Sequence, residues 1–328
     1  MGMKKSSKNH SAGKAYCFIC GGKSFEKGFG GIKAVGGVYS VYFCASCGLG
    51  RTDPFLDPER LRKIYSSTYR EDDSTRFAAP IERLIRYLRG RRRGLIEKFS
   101  AKGSILDIGC GRGDFLGLMA EKGWQVSGLD LDDRIAGHGR RTGMDLRSGT
   151  IEDAGFPDER FNTITFWHVF EHLREPLRTL AECRRVLKDD GLLVVAIPDV
   201  ASTQARLTGK EWFHLDPPYH LYHYSHENIK TLLSKAGFEV VHIGHFSLEY
   251  GPYGFLQSIF NRLGLGHNLF YDFLRSKWER SPLSYMRLLL SFMLLPIALP
   301  ISVFLSVFEA AAGRGGAIEV YARKKEDR

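Results

Sequence analysis

Four cysteines stand as two pairs, Cys17 and Cys20 in CFIC and Cys44 and Cys47 in CASC, each pair followed by glycine. Four thiolates so spaced can close a tetrahedron around Zn²⁺ at about 2.3 Å, with the glycines permitting the knuckle turns. A closed four-cysteine set leaves no open position for chemistry, so a metal there is structural. Cys110 and Cys183 fall in a glycine loop and on a helix face and are read as packing residues. A second constellation is SILDIGCGRGDFLGLM, a strand running straight into Gly109, Gly111 and Gly113 and then a helix. Such a loop lets a ligand approach the backbone and meet a helix N-terminus. Asp130, ending the next strand in WQVSGLDLDD, can accept both hydroxyls of a ribose. A nicotinamide-binding fold would use the same two features, and they leave the cofactor open.

A third constellation, HVFEH, places His168, Glu171 and His172 at i, i+3 and i+4, on one helical face just after a strand. At the carboxyl edge of a sheet these groups could take a proton from a nucleophile; alternatively Glu171 and His172 cap and orient the strand end. The letters also match a zinc-protease motif, but no third ligand accompanies them. The run GKEWFHLDPPYHLYHYS carries His214, His220, Tyr222 and His223 and is expected to drape over the same opening, with His220 as a site residue.

The elements that must position these groups follow from alternating short apolar and amphipathic runs, the pattern of an α/β, doubly wound, mostly parallel sheet. Strands are expected near 104–108, 124–130, 145–149, 161–167 and 192–198, and helices near 114–122, 132–141 and 175–188. Ser225 is a natural N-cap for a further helix that Gly237 closes, and FEVVHIGHFS reads as another strand. ERLIRYLRGRRRGLIEKF reads as a basic helix packing on the sheet edge or as a solvated charged face. The 328 residues, 43% apolar and 26% charged, fit one large globular domain with an appendage. A formal charge of +10 implies an anionic partner: nucleic acid, a lipid surface or a phosphorylated substrate. Residues 1–15 contain no apolar core of signal-peptide length and read as a disordered lead-in, so the body is expected in the cytoplasm.

LDIGCGRGDFL, VSGLDLDD, GTIEDAGFPDERFNTITFWHVFEHL, LRTLAECRRVLKDDGLLVVAIP and HLYHYSHENIKTLLSKAGFEV, in that order, resemble the successive motifs of class I S-adenosylmethionine-dependent methyltransferases. The resemblance covers residues 95–247 and implies a Rossmann-like, seven-stranded sheet that ends in an antiparallel pair, with AIEVYARKK as its last strand. It implies that Asp107, Gly109 and Gly111 bound the methionine end of S-adenosylmethionine, that Asp130 holds the ribose, and that Ile151 and Glu152 lie by the adenine. Many relatives carry Asp where Thr150 stands, and backbone contacts would replace it. The chain looks most like the branch of quinone O-methyltransferases and zinc-carrying sugar methyltransferases. The former have a similar ExxEH, thought to hold a divalent metal, with His168 here in place of the first glutamate. The sugar C-methyltransferases add a carboxy-terminal domain that does not match here. His168, Glu171, His172 and His220 are the catalytic candidates, and the expected acceptor is a small molecule, a sugar or a lipid-linked molecule, as in surface polysaccharide, glycolipid or secondary-metabolite biosynthesis at the membrane surface. The alternative is a ribosomal or transfer RNA methyltransferase whose zinc ribbon binds RNA. DPPY resembles the base-stacking motif of nucleic-acid amino-methyltransferases, but that motif directly follows the fourth strand, where WHVFEHL stands here. Nucleic acid is therefore not the expected partner.

Residues 288–308, LLLSFMLLPIALPISVFLSVF, hold 21 positions without a charge. A straight helix of that length matches a bilayer core of about 30 Å, yet a single crossing would strand AIEVYARKK away from its sheet. Pro296 and Pro300 each remove an amide, and basic residues flank both ends. The expectation is a kinked helical hairpin that dips into one leaflet, leaving the protein peripheral or monotopic on the inner face of the cell membrane. The expected organisation is a lead-in (1–15), a four-cysteine zinc-ribbon-like module (16–52), a basic helical linker (53–100), the methyltransferase core (101–247), a hydrophobic membrane-associating insertion (248–316), and the final strand and tail (317–328).

Overall fold

The computed structural model describes residues 16–68 and 79–326; the lead-in 1–15 and residues 69–78 of the basic linker lie outside them. β1 (Phe25–Ala34) and β2 (Gly37–Cys44) form an antiparallel hairpin, and β3 (Gly50–Asp53) pairs with β2 on its other side. Gly21 and Gly48, each just after a cysteine pair, adopt φ of +75° and +72°. That left-handed conformation turns the chain back toward the thiols at no steric cost. Helices α1 (Pro58–Thr68) and α2 (Ala79–Phe99) lead into the body.

The body runs β4 (Ser104–Ile108), α3 (Asp114–Ala120), β5 (Gln125–Asp130), α4 (Ile135–Thr142), β6 (Asp145–Ser148), β7 (Phe161–Trp167), α5 (Pro176–Val186) and β8 (Leu187–Pro198). It continues through α6 (Thr203–Thr208), β9 (Tyr222–His223), α7 (His226–Lys235), β10 (Phe238–Gly244), α8 (Gly251–Arg262), α9 (Leu269–Leu274), α10 (Pro282–Ala311) and β11 (Ala317–Lys324). Seven strands form one sheet in the order β10-β11-β8-β7-β4-β5-β6. The pairs among β8, β7, β4, β5 and β6 are parallel, while β11 is antiparallel to both β8 and β10.

Helices cover both faces, so the central strands are apolar on both sides rather than alternating with polar residues. Leu106, Ile164 and Val195 pack with Leu180, Cys183 and Val186 of α5 and Ile229 and Leu232 of α7. Their sequence neighbours Ile105 and Val194 point the other way, into a cluster with Ile96 of α2 and Phe115, Leu116 and Met119 of α3. Cys110 and Cys183 are packing residues within these clusters. Several boundaries differ from the sequence reading: α3 ends at Ala120, α4 starts only at Ile135, and the junction of α5 and β8 moves. α5 stops at Val186 and β8 already starts at Leu187, because Leu187 is extended (φ −77°, ψ 139°), fully buried and paired with Phe161. Ser225 caps α7 reciprocally: its hydroxyl accepts from Asn228 N, and Asn228 Oδ1 accepts from Ser225 N.

The insertion between β10 and β11 corrects a second expectation, since residues 282–311 form one continuous helix and not a hairpin. Pro296 and Pro300 lie one turn apart and are both exposed, so the forfeited bonds fall on an outer edge and the packed side stays unbroken. α10 is patterned inside out. Its buried positions are Ser284, Leu288, Ser291, Ser302, Ser306 and Glu309, with Leu295 and Ala298 partly packed, a narrow stripe that lies on α8 and α9. Phe292 meets Phe270 and Phe273 edge-on at 5.5 and 5.4 Å, and Gly251 lies against Ser306. Most of its large apolar side chains, Met293, Ile297, Phe304 and Phe308 among them, face outward. Among the described residues α10 is the one helix long and apolar enough to cross a membrane.

Candidate active site

The loop after β4 is shaped by its glycines. Gly109 sits at φ +75°, where a Cβ would run into Val169, whereas a Cβ on Gly111 would meet only open space. The loop is thus packed from below and clear above, a cradle over which a ligand can lie against backbone. Asp130 organises it from the end of β5: Oδ2 accepts from Gly111 N at 2.9 Å and Oδ1 from Asp132 N at 3.0 Å, and each carboxylate oxygen keeps further acceptor capacity. Asp107, at 4% exposure, accepts from Thr165 Oγ1 at 2.7 Å. Burial pushes its carboxyl up to about 7, against the pull of Thr165 and Arg92. A cationic group beside it would favour the ionised carboxylate and offset that burial. Acceptors for hydroxyls at Asp130, a buried acid at Asp107 and a bare glycine cradle therefore fit S-adenosylmethionine, ribose at Asp130 and methionine end at Asp107. Ile151 is in the core, and the Glu152 carboxylate accepts from Thr179 of α5. Thr150 donates to Asp153 Oδ2 at 2.8 Å, so a carboxylate stands three residues beyond the position where relatives carry one.

HVFEH is not a helical face. The amide of His168 still donates to Ala196 of β8, His168 itself takes φ +56°, and only Phe170–His172 form a single 3₁₀ turn anchored by fully buried Phe170. The strand pairing persists one residue too far for a helix to begin. The turn nevertheless gathers the four candidates. His168 Nδ1 and His220 Nε2 lie 3.7 and 3.8 Å from Glu171 Oε1, and the rings of His172 and His220 meet edge-on at 4.8 Å. Neither carboxylate oxygen of Glu171 has a hydrogen-bond partner among the described residues, and burial pushes this carboxyl up to about 7. Burial holds His168 down to about 3 and His220 well below its ordinary value, so both imidazoles are neutral. His220 Nδ1 contacts the carbonyl of His214 at 2.9 Å; a carbonyl only accepts, so Nδ1 carries the proton and Nε2 presents a lone pair toward Glu171. Donor atoms of Glu171, His172 and His220 lie within 4.8 Å of one another, close enough to hold a divalent cation.

Other residues of the histidine strap play different parts. Thr52 of β3 donates to the carbonyl of His220 at 2.6 Å and contacts His223 Nε2 at 3.0 Å, and β3 pairs with β9. Tyr222 faces the cysteine module, its ring 4.9 Å from Phe18. Pro217, Pro218 and Tyr219 are buried in the turn, so DPPY does not present an aromatic face. Four residues that sequence reasoning did not single out pack beside this cluster. Arg92 of α2 lies 4.3 Å over the ring of Trp167 and pairs with Glu249, and Tyr250 packs 3.8 Å from His168. Trp167, the residue before HVFEH, was within reach of the motif; Arg92, Glu249 and Tyr250 come from the basic helix and the insertion and carry no local signal.

The four cysteine sulfurs lie within 4.8 Å of one another, with Cys17–Cys47 at 3.6 Å and Cys20–Cys44 at 3.5 Å. A tetrahedron with Zn–S of about 2.3 Å has edges of about 3.8 Å, so the donor set fits zinc.

The sequence matches the methyltransferase domain family over residues 72–243, just over half of the chain. It is 30% identical to a Mycolicibacterium smegmatis protein named as a probable S-adenosylmethionine-dependent methyltransferase, over 42% of this chain and 52% of that one. It is 33% identical to a ubiquinone biosynthesis O-methyltransferase of Cereibacter sphaeroides, over 42% of this chain and 60% of that one. The chain thus spans between half and two thirds of these relatives. A solved S-adenosylmethionine-dependent methyltransferase from Archaeoglobus fulgidus aligns with 82% of this chain and all of that one, at 19% identity and a TM-score of 0.47. The strand order, the glycine cradle with its two aspartates and the match over residues 72–243 agree: the chain belongs to the class I S-adenosylmethionine-dependent methyltransferases.

Proposed function

We propose that the protein transfers a methyl group from S-adenosylmethionine to a small-molecule or lipid-linked acceptor at a membrane surface. When bound, S-adenosylmethionine supplies a methyl already activated on a sulfonium sulfur, so holding an acceptor in line contributes much of the rate. Arg92, Trp167 and Tyr250 pack beside His168, and Glu171 with neutral His168, His172 and His220 can receive the proton a hydroxyl nucleophile must lose. The single observation that carries the membrane part is α10, with serines buried and large apolar side chains exposed. Water would favour the opposite arrangement, and a lipid phase favours this one. The helix rests along α8 and α9, so the reading is an in-plane anchor on the cytoplasmic face. A relative named for ubiquinone biosynthesis supports an apolar small-molecule acceptor. We read the four thiolates as holding a structural zinc ion.

The test has two arms. Calorimetry with S-adenosylhomocysteine should show binding that NAD does not match. Incubating the purified protein and labelled S-adenosylmethionine with membrane extract from cells lacking the gene should put one methyl group into a lipid-phase product. Label recovered in RNA, or no binding of S-adenosylhomocysteine, would overturn the reading.

A further inference from the structure

Resting on the membrane-surface reading above, we propose that the cavity between α2 and α3 is a binding site for a phosphate group carried on a lipid. The cavity measures about 240 Å³ and is lined by Arg83, Arg86, Arg89, Asp114 and Leu118. At about 30 Å³ per water it has room for roughly eight waters, enough for a hydrated phosphate or a diphosphate. Its arginines recur every three residues along α2, so they share one helix face. The row descends into the protein: the side chains of Arg86, Arg89 and Arg92 are 67%, 23% and 10% exposed.

The outer end of the row, Arg83 and Arg86, is available to an anion, while Arg89 and Arg92 share the largely buried Glu249 at the inner end. Arg86 pairs with Glu121 and Arg89 with Asp114, acids that are themselves more than half exposed. Such surface pairs contribute little and are readily exchanged for a stronger partner. Arg83 has no counter-ion among the described residues. Guanidinium forks match phosphate oxygens two at a time, which an exposed carboxylate on a flexible stem does not rival. The position is as telling as the charge. Arg89 also approaches Glu249 at 3.7 Å, and Glu249 stands two residues before Gly251, which packs on Ser306 of α10. The inner end of the same row, Arg92, lies over Trp167 at the acceptor opening. A phosphate in this cavity therefore sits between the apolar helix and the reacting centre, where the head of a lipid-linked molecule would arrive.

The full-length protein is titrated with inorganic pyrophosphate by calorimetry, alongside Arg83→Gln/Arg86→Gln, whose two positions are surface-exposed. Wild type should bind saturably and the double variant about ten- to a hundredfold more weakly, the scale of losing charge-assisted hydrogen bonds. Both should bind S-adenosylhomocysteine equally. Pelleting with phosphatidylcholine vesicles, with and without phosphatidylglycerol, separates the two sources of phosphate. If bulk headgroups are read, the variant loses the added binding that phosphatidylglycerol gives. If the acceptor's own phosphate is read, only the pyrophosphate titration changes. Absence of saturable pyrophosphate binding in wild type, or equal affinity in the variant, overturns the proposal. Loss of S-adenosylhomocysteine binding, or of pelleting with neutral vesicles, would instead count against the underlying reading.

Discussion

The outer ridge of α10 is open to a quantitative test. Met293, Ile297 and Phe304 are 67%, 64% and 69% exposed and lie opposite the serine stripe. Full burial of such a side chain contributes about 1.5–3 kcal/mol. Covering the exposed two thirds in a lipid phase thus recovers about 1–2 kcal/mol each. Replacing all three with glutamine should cost about 3–6 kcal/mol of membrane partitioning, a factor of about 10² to 10⁴. None of the three is buried against α8 or α9, so the fold and cofactor affinity should not change. The assay is co-sedimentation with neutral phosphatidylcholine vesicles, with melting temperature and S-adenosylhomocysteine calorimetry as controls. Pelleting of the folded triple variant within a few-fold of wild type would refute the reasoning. So would a wild-type dimer that the variant dissolves into monomers while vesicle binding stays the same, since a second copy would then be what covers the ridge.

Asp130→Ala should weaken S-adenosylmethionine by about 1.5–3 kcal/mol, the scale of hydrogen bonds to a charged group, measured by calorimetry. Asp107 holds its proton up to about pH 7 in the free protein, and a cationic ligand prefers the ionised form. Affinity should therefore fall by up to about tenfold per pH unit below 7, while Asp107→Asn should give a weaker but flat profile; a flat wild-type profile would count against Asp107. Cys44→Ser should lose the metal and lower the melting temperature. Turnover should fall while S-adenosylhomocysteine affinity is kept, because β3 holds the carbonyl of His220 through Thr52; unchanged turnover in the metal-free variant would sink that link. Glu171→Gln should reduce turnover by about 10²–10⁴-fold without altering S-adenosylhomocysteine affinity, read by single-turnover kinetics; a loss of less than about tenfold would place proton removal elsewhere.

Much of the sheet was legible because its signals are local. Central strands buried on both faces read as short apolar runs, as at 104–108 and 161–167, and Ser225 and Gly237 marked the two ends of α7. The glycine cradle and Asp130 were legible for the same reason. What was misread depended on pairing across the chain. The helical spacing of HVFEH was overridden by one hydrogen bond, from His168 to Ala196, which ties the residue to the sheet and turns it left-handed (φ +56°) before a helix can begin. The hairpin expected at Pro296 and Pro300 did not form, because both prolines fall on the unpacked edge of α10. Arg92 and Glu249 stand 157 residues apart, and only the folded chain brings them together beside Trp167.

The place of β11 in the sheet has a consequence for the order of folding. It lies between β10 and β8, yet in the chain it follows α10. During synthesis β8 and β10 are made first; β8 has β7 on one side, but its other edge, and β10 altogether, stay unpaired until the whole segment from 245 to 316 has emerged and folded back. Closing so long a loop is entropically slow. In that interval an unpaired strand edge and a 30-residue apolar helix are exposed together, a combination prone to aggregate. A bilayer that accepts α10 as it leaves the ribosome would remove one of the two hazards before the last strand closes the other. Refolding from denaturant should accordingly be more efficient with vesicles present from the start than with vesicles added afterwards.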